Sequence, residues 1–207
     1  SAVNHIADRA GVTRSAVIIA GPDQRALWSL ATEGRHEDGV EIGVEIEVLT
    51  LRRFSLDGLR AWAQDKESFT SDAQMKQLRE TTGGWPLLID RLSAGLFAKL
   101  PEDEALRQAV GYLEDPKGAK DFLTQAGLIP HTPQWLAYHA ITEFMTDDGM
   151  SAGDLLAAVE AATDDDGIDA AEALGALRAL QVFDSDTAGR HRLEGVLHAC
   201  WNRVHAT

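Results

Sequence analysis

Four stretches of this chain gather residue types that do chemistry. Asp164-Asp165-Asp166-Gly167 and Asp147-Asp148-Gly149 set carboxylates beside a glycine, as an oxygen-ligand calcium loop does. Arg190-His191-Arg192 is a compact basic cluster of the kind that meets phosphate. Gly84-Trp85-Pro86 joins a turn, an aromatic ring and a helix start, and Arg91 lies five residues past Pro86. The calcium readings fail on register. With Gly167 as the invariant glycine, Ala162 falls at the first ligand position and Ala173 where the bidentate Glu belongs. With Gly149 in that place, the first ligand position holds Phe144. Both acidic runs read as solvated turns.

Other catalytic and metal patterns are absent from the sequence. The seven histidines, at 5, 36, 131, 139, 191, 198 and 205, form no H-E-x-x-H. There is no G-x-S-x-G elbow. No metal site and no catalytic residue are therefore expected. Trp62, Trp85, Trp135 and Trp201 fall on apolar faces and read as core. For Gly84-Trp85-Pro86, geometry alone offers an account: a C-capping glycine, then proline in the first turn of the next helix.

The chain has 207 residues and a formal net charge of −14. The acidity is uneven: residues 1–100 carry 12 Lys+Arg and 14 Asp+Glu, residues 101–207 carry 7 and 19. Nucleic-acid binders usually carry the opposite sign, so nucleic acid is not an expected partner. One cysteine gives no disulfide framework, and a reducing cytoplasm is the expected compartment. No apolar run approaches a membrane span, and no signal segment opens the chain. Ser1-Ala2 begins in mid-pattern, as a piece cut from a longer protein would.

The elements that must position these residues are mainly helices. Val3–Ala10 suits a short helix, Ser15–Ala20 a buried strand, and Gln24–Ala31 a helix behind Asp23. Val40, Ile42, Val44, Ile46 and Val48 alternate with polar residues, as an edge strand does. Beyond Ser55 the caps are legible. Ser55 precedes a helix over 56–64, Ser71 one over 72–82, and Gly83-Gly84 close the second. Pro86 starts a helix to about Leu100, followed by a charged joint at 100–105. Thr132-Pro133 open a helix to about Met145, and Ser151 with Asp154 forms a capping box before 155–162. Residues 168–180 are helical, 182–184 and 191–193 pair as a hairpin, and a last helix covers about 195–204. Helix, turn, helix, hairpin from 151 to 194 is the order of a winged helix.

Residues 10–23, AGVTRSAVIIAGPD, admit two readings. Ala10 to Ser15 resemble the turn of a helix-turn-helix repressor. Ala16 to Ala20 lack the polar residues a recognition helix needs and suit a strand. LTLRRFSLDGLRAWAQ (49–64) and LRETTGGWPLLIDRLSAGL (78–96) bear on the choice. Together they resemble the lid of signal-transduction ATPases with numerous domains, the STAND branch of P-loop ATPases, in its maltose-activator type. That family carries a Leu-x-x-Phe/Leu-Ser/Thr segment, a helix, and a further helix ending in Gly-x-Pro. The resemblance makes 16–21 the sensor strand of an ATPase core.

The fold class that this resemblance implies is mainly α with a small α/β part, in three regions. Residues 1–52 would be a remnant of the parallel α/β core, 53–100 a helical lid, and 101–207 a winged-helix-like domain separable from the lid. The resemblance also sets Gly84, Trp85 and Pro86 on the adenine side of ATP or ADP held by an N-terminal P-loop half. Arg91, five residues past Pro86, is by its position a phosphate candidate on an otherwise solvated face. That half is missing here: the sequence has no G-x-x-x-x-G-K-[ST] and no apolar strand ending in an acidic pair. Gly21-Pro22-Asp23 stands where relatives often carry Thr-Thr-Arg. The fragment is therefore expected to bind no cofactor and hydrolyse nothing by itself. Its function would be regulatory, coupling the nucleotide state of a parent ATPase to domain rearrangement, with self-association or an effector protein as further partners. The alternatives are a DNA-binding regulator, using residues 5–17 or Arg190, His191 and Arg192, and a protein-interaction scaffold without a ligand.

Overall fold

The computed structural model describes residues 53–163 and 167–205. The two helices and two strands expected before residue 53, the proposed core remnant over 1–52, the helix-turn-helix alternative over 5–17 and the Asp164–Asp166 turn lie outside the described residues. What is described is mainly helical, with one small antiparallel sheet. The elements run α1 (Leu56–Asp65), α2 (Asp72–Thr82), α3 (Pro86–Phe97), α4 (Glu102–Gly111), a short 3-10 turn (Tyr112–Glu114), α5 (Pro116–Gln125), α6 (Pro133–Phe144), α7 (Ala152–Thr163), α8 (Ala170–Ala179), β1 (Phe183–Ser185), β2 (His191–Leu193) and α9 (Gly195–His205). No helix among the described residues is long and apolar enough to cross a membrane.

Most helices begin where the sequence places a cap. The side chains of Ser55, Ser71, Asp115, Thr132 and Asp169 each accept a backbone N–H of the following first turn. Ser71 and Gln74 complete a reciprocal box, and Ser151 and Asp154 do the same ahead of α7. The ends are less legible. Helix α3 stops at Phe97 rather than Leu100, because Lys99 turns left-handed (φ 62°) and Leu100 N–H reaches back to the Gly95 carbonyl. Helix α8 spans 170–179 rather than 168–180: Asp169 is its cap, and Gln181 (φ 57°) closes it in the same way.

The acidic run read as a charged joint is instead the first turn of α4. Glu102, Asp103 and Glu104 sit where the helix dipole favours negative charge. Glu102 also accepts from Phe69 N–H (3.0 Å) and from the Gln74 amide (2.7 Å), tying α4 to α2. At the α3–α4 crossing, a Cβ on Gly95 would lie 3.0 Å from that of Ala105.

Helix α3 joins two apolar clusters. Ile89 and Leu92 face Leu59, Ala63, Phe69, Met75, Leu78 and Leu106. Leu88 and Trp85 face the larger cluster built from α5 to α9, including Phe122, Tyr138, Ile141, Leu177, Leu197 and Trp201. Strand β1 pairs with β2 in the register Phe183↔Leu193, Asp184↔Arg192, Ser185↔His191. Met150, between α6 and α7, adds a one-residue antiparallel bridge to His191.

Candidate functional site

The Gly-Gly-Trp-Pro turn is where distant parts of the chain meet. Gly83 (φ 59°) and Gly84 (φ 72°) are both left-handed, conformations that glycine adopts without strain. A Cβ on Gly84 would clash with the Phe54 carbonyl oxygen, so the turn also needs glycine for space. Phe54 N–H donates to the Gly84 carbonyl at 2.7 Å, and Thr82 Oγ1 accepts from Gly84 N–H at 3.2 Å. Arg79 Nη1 donates to the Phe54 carbonyl at 3.0 Å and also to the Gly83 carbonyl.

Trp85 points inward. Its indole is 7% exposed and meets the edge of Phe122 at 5.6 Å between ring centroids. The indole Nε1–H donates to Glu194 Oε2 at 2.7 Å. Glu194 is 2% exposed, a position a carboxylate tolerates only when paired. Its partners are complete: besides Trp85 it accepts Val196 N–H (3.1 Å) and Leu197 N–H (2.9 Å), capping α9, and it lies 3.7 Å from Arg53 Nη1. Arg53 extends the junction. Its backbone N–H donates to Gln181 Oε1 (2.6 Å), and its guanidinium to the carbonyls of Gly83 (3.2 Å) and Phe183 (3.0 Å) and to Asp184 Oδ1 (2.6 Å). The same guanidinium lies 5.6 Å from the centre of the Trp85 ring.

Beside this junction is an open depression of about 340 Å³. It is lined by Arg53, Arg79, Arg178 and His191 with Phe54, Gln181 and three neighbours. His191 Nδ1 is held by Ser185 Oγ at 2.9 Å.

The residues singled out in the sequence are thus dispersed. Gly84 and Trp85 are buried, and Pro86 is half-buried at the first turn of α3. Arg91 is exposed, its guanidinium 3.8 Å from the centre of the Tyr112 ring, on its own part of α3. In the hairpin, Arg190 is diverted: its guanidinium donates to the Gly149 carbonyl, while Arg192 is exposed. Asp186 holds the hairpin loop by accepting Arg190 N–H and Ala188 N–H, bonds that keep its carboxyl below the usual carboxylate range, the Arg190 contact most of all. Helix α8 exposes Glu172 and Arg178, one charge of each sign. Among the described residues no group of three His, Cys, Asp or Glu side chains could hold a metal.

Arg53 and Glu194 escaped sequence reasoning. Glu194 had one signal, a lone carboxylate at the head of the apolar stretch that forms α9; its pairing across 109 residues had none. Comparison with family models, with curated proteins and with solved structures finds no match to this chain.

Proposed function

We propose that this chain is the regulatory, nucleotide-sensing C-terminal region of a STAND-type ATPase, with an N-terminal P-loop half supplying the phosphate loop and the hydrolytic chemistry. One observation carries the reading. The Gly83–Pro86 turn, which the motif assigns to the nucleotide, is fastened through Trp85, Arg53 and Glu194 to the hairpin and to the start of α9. A change at the turn therefore reaches the C-terminal helices through a few directional bonds rather than through loose apolar packing. The order α6, Met150, α7, α8, β1, β2, with Met150 bridged to His191, supports a winged-helix-like domain behind the lid.

The residues present fit an adenine on one side only. Trp85 is committed to the core, so Pro86, at the surface end of the turn, offers the apolar face for the base. ATP or ADP would supply the switch between lid positions; this chain would contribute Pro86 and the clamp that transmits the change to an effector. Arg190 is occupied by Gly149, and α8 offers little positive charge, which leaves DNA as the weaker reading.

The coding sequence upstream of residue 1 tests this. The reading expects a strand, G-x-x-x-x-G-K-[ST] and a helix there, and a polypeptide with that half whose affinity for ADP falls when Pro86→Ala is introduced. Upstream sequence without a phosphate loop would overturn it.

A further inference from the structure

The depression beside the junction carries more cation than the junction uses. Three guanidiniums, those of Arg53, Arg79 and Arg178, line it, in a chain whose formal net charge is −14. Among the described residues, only two carboxylates lie within 4 Å of any of them. Asp184 takes Arg53 at 2.6 Å and Arg79 at 3.7 Å, and Glu194 takes Arg53 at 3.7 Å. Arg178 is exposed and has no ion pair among the described residues. Among the described residues one cation is left over, and His191 adds an imidazole whose Nδ1 meets Ser185 and whose Nε2 has no hydrogen-bond partner there.

These groups come from four places in the chain: the segment before α1, helix α2, the end of α8 and strand β2. Arg53 and Arg79 are fixed by backbone carbonyls, so their charges are in place before a ligand arrives. Arg53 is held hardest, with a side chain 8% exposed. Arg178 keeps N–H donors that can meet an oxyanion with two parallel bonds, while Arg53 and Arg79, whose N–H groups hold backbone carbonyls, add fixed positive charge beside it.

We propose that this depression is a binding site for a phosphate group, with Arg178 and His191 as the ligand-facing donors and Arg79 beside them. Trp85 and Pro86 do not line it, so the site does not rest on the nucleotide reading. An anion bound there would bridge α8 and β2 to α2 and so tighten the same junction. The phosphate could come free in solution or attached to a nucleotide, and the two sources are separable.

Thermal unfolding at constant ionic strength tests the site, with inorganic pyrophosphate, ADP and adenosine as probes. Pyrophosphate and ADP are expected to raise the melting temperature of the unmodified chain, and adenosine to leave it unchanged. Arg178→Gln and His191→Gln should each weaken binding about tenfold, the loss of one charge-assisted or polar contact. Arg190→Gln, outside the depression, should leave it unchanged. Equal shifts by pyrophosphate and ADP would name the free phosphate as the source; a larger shift by ADP would name the nucleotide. No shift by pyrophosphate, a shift by adenosine alone, or an equal loss in Arg190→Gln would overturn the proposal.

Discussion

Trp85 and Glu194 are 109 residues apart in sequence and 2.7 Å apart in space, joined by an indole N–H donated to a buried carboxylate. Glu194 also caps α9 and faces Arg53, so one side chain holds the turn, the segment before α1 and the last helix together. Burying a carboxylate is costly, and this one is tolerable because each neighbour satisfies part of it.

The glycines of the turn and of α8 should respond in opposite ways. Gly84→Ala forces a side chain into φ 72° and against the Phe54 carbonyl oxygen. The left-handed strain alone costs about 1–2 kcal/mol, and the clash adds to it. Gly175→Ala, inside α8 with nothing within 4 Å of the new Cβ, should stabilise by about 0.5–1 kcal/mol. Urea unfolding of both variants checks the pair; a neutral Gly84→Ala would refute the turn geometry.

Cys200 should be inert in the folded protein. It is buried in the larger cluster, and burial pushes its thiol up to about 11. The thiolate is the nucleophile, so neither access nor ionisation favours reaction. A thiol reagent at pH 8 should label the chain only in denaturant. Stoichiometric labelling of the native chain would contradict this.

His198 should make the fold acid-sensitive. Burial holds its imidazole below the ordinary value of 6.5, and Nε2 lies 3.1 Å from the Asn202 amide. The unfolded chain therefore takes up the proton first as the pH falls. The stability that neutral His198 contributes is present above 6.5 and is lost as the pH drops below it. His198→Gln should flatten the stability profile between pH 7 and the lowered value. An unchanged slope would show that His198 is not held neutral.

The region from 53 to 205 should open as one unit. The sequence suggests a separable joint at 100–105, yet Gly95 packs on Ala105 there and α3 contributes to both clusters. Hydrogen exchange should show amides around Leu78 and around Leu177 losing protection together in denaturant. Earlier loss in one set, or a protease fragment ending near residue 100, would restore the two-part reading.

What is legible in the sequence is local. Ser55, Ser71, Thr132 and the Ser151–Asp154 pair mark helix starts because a cap acts over three residues. The hairpin is legible from its alternation and its Gly189 loop. Helix ends are harder, since Glu67, Lys99 and Gln181 occupy left-handed positions that the rule reserves mainly for glycine. Helix α4 is hidden because Pro101 and the acidic run look like a linker. The junction is not legible at all, because Arg53, Trp85, Asp184 and Glu194 become neighbours only through tertiary packing.

Everything proposed for the turn depends on Trp85 and Glu194 clamping it to the C-terminal helices. A double-mutant cycle of Trp85→Phe and Glu194→Gln, read by urea unfolding at pH 7, measures that clamp. Trp85→Phe keeps an aromatic ring and removes the donor; Glu194→Gln keeps the shape and removes the charge. A working clamp predicts a coupling of about 1–3 kcal/mol, the range for a hydrogen bond to a buried charged group. Effects that add to within about 0.5 kcal/mol would contradict it.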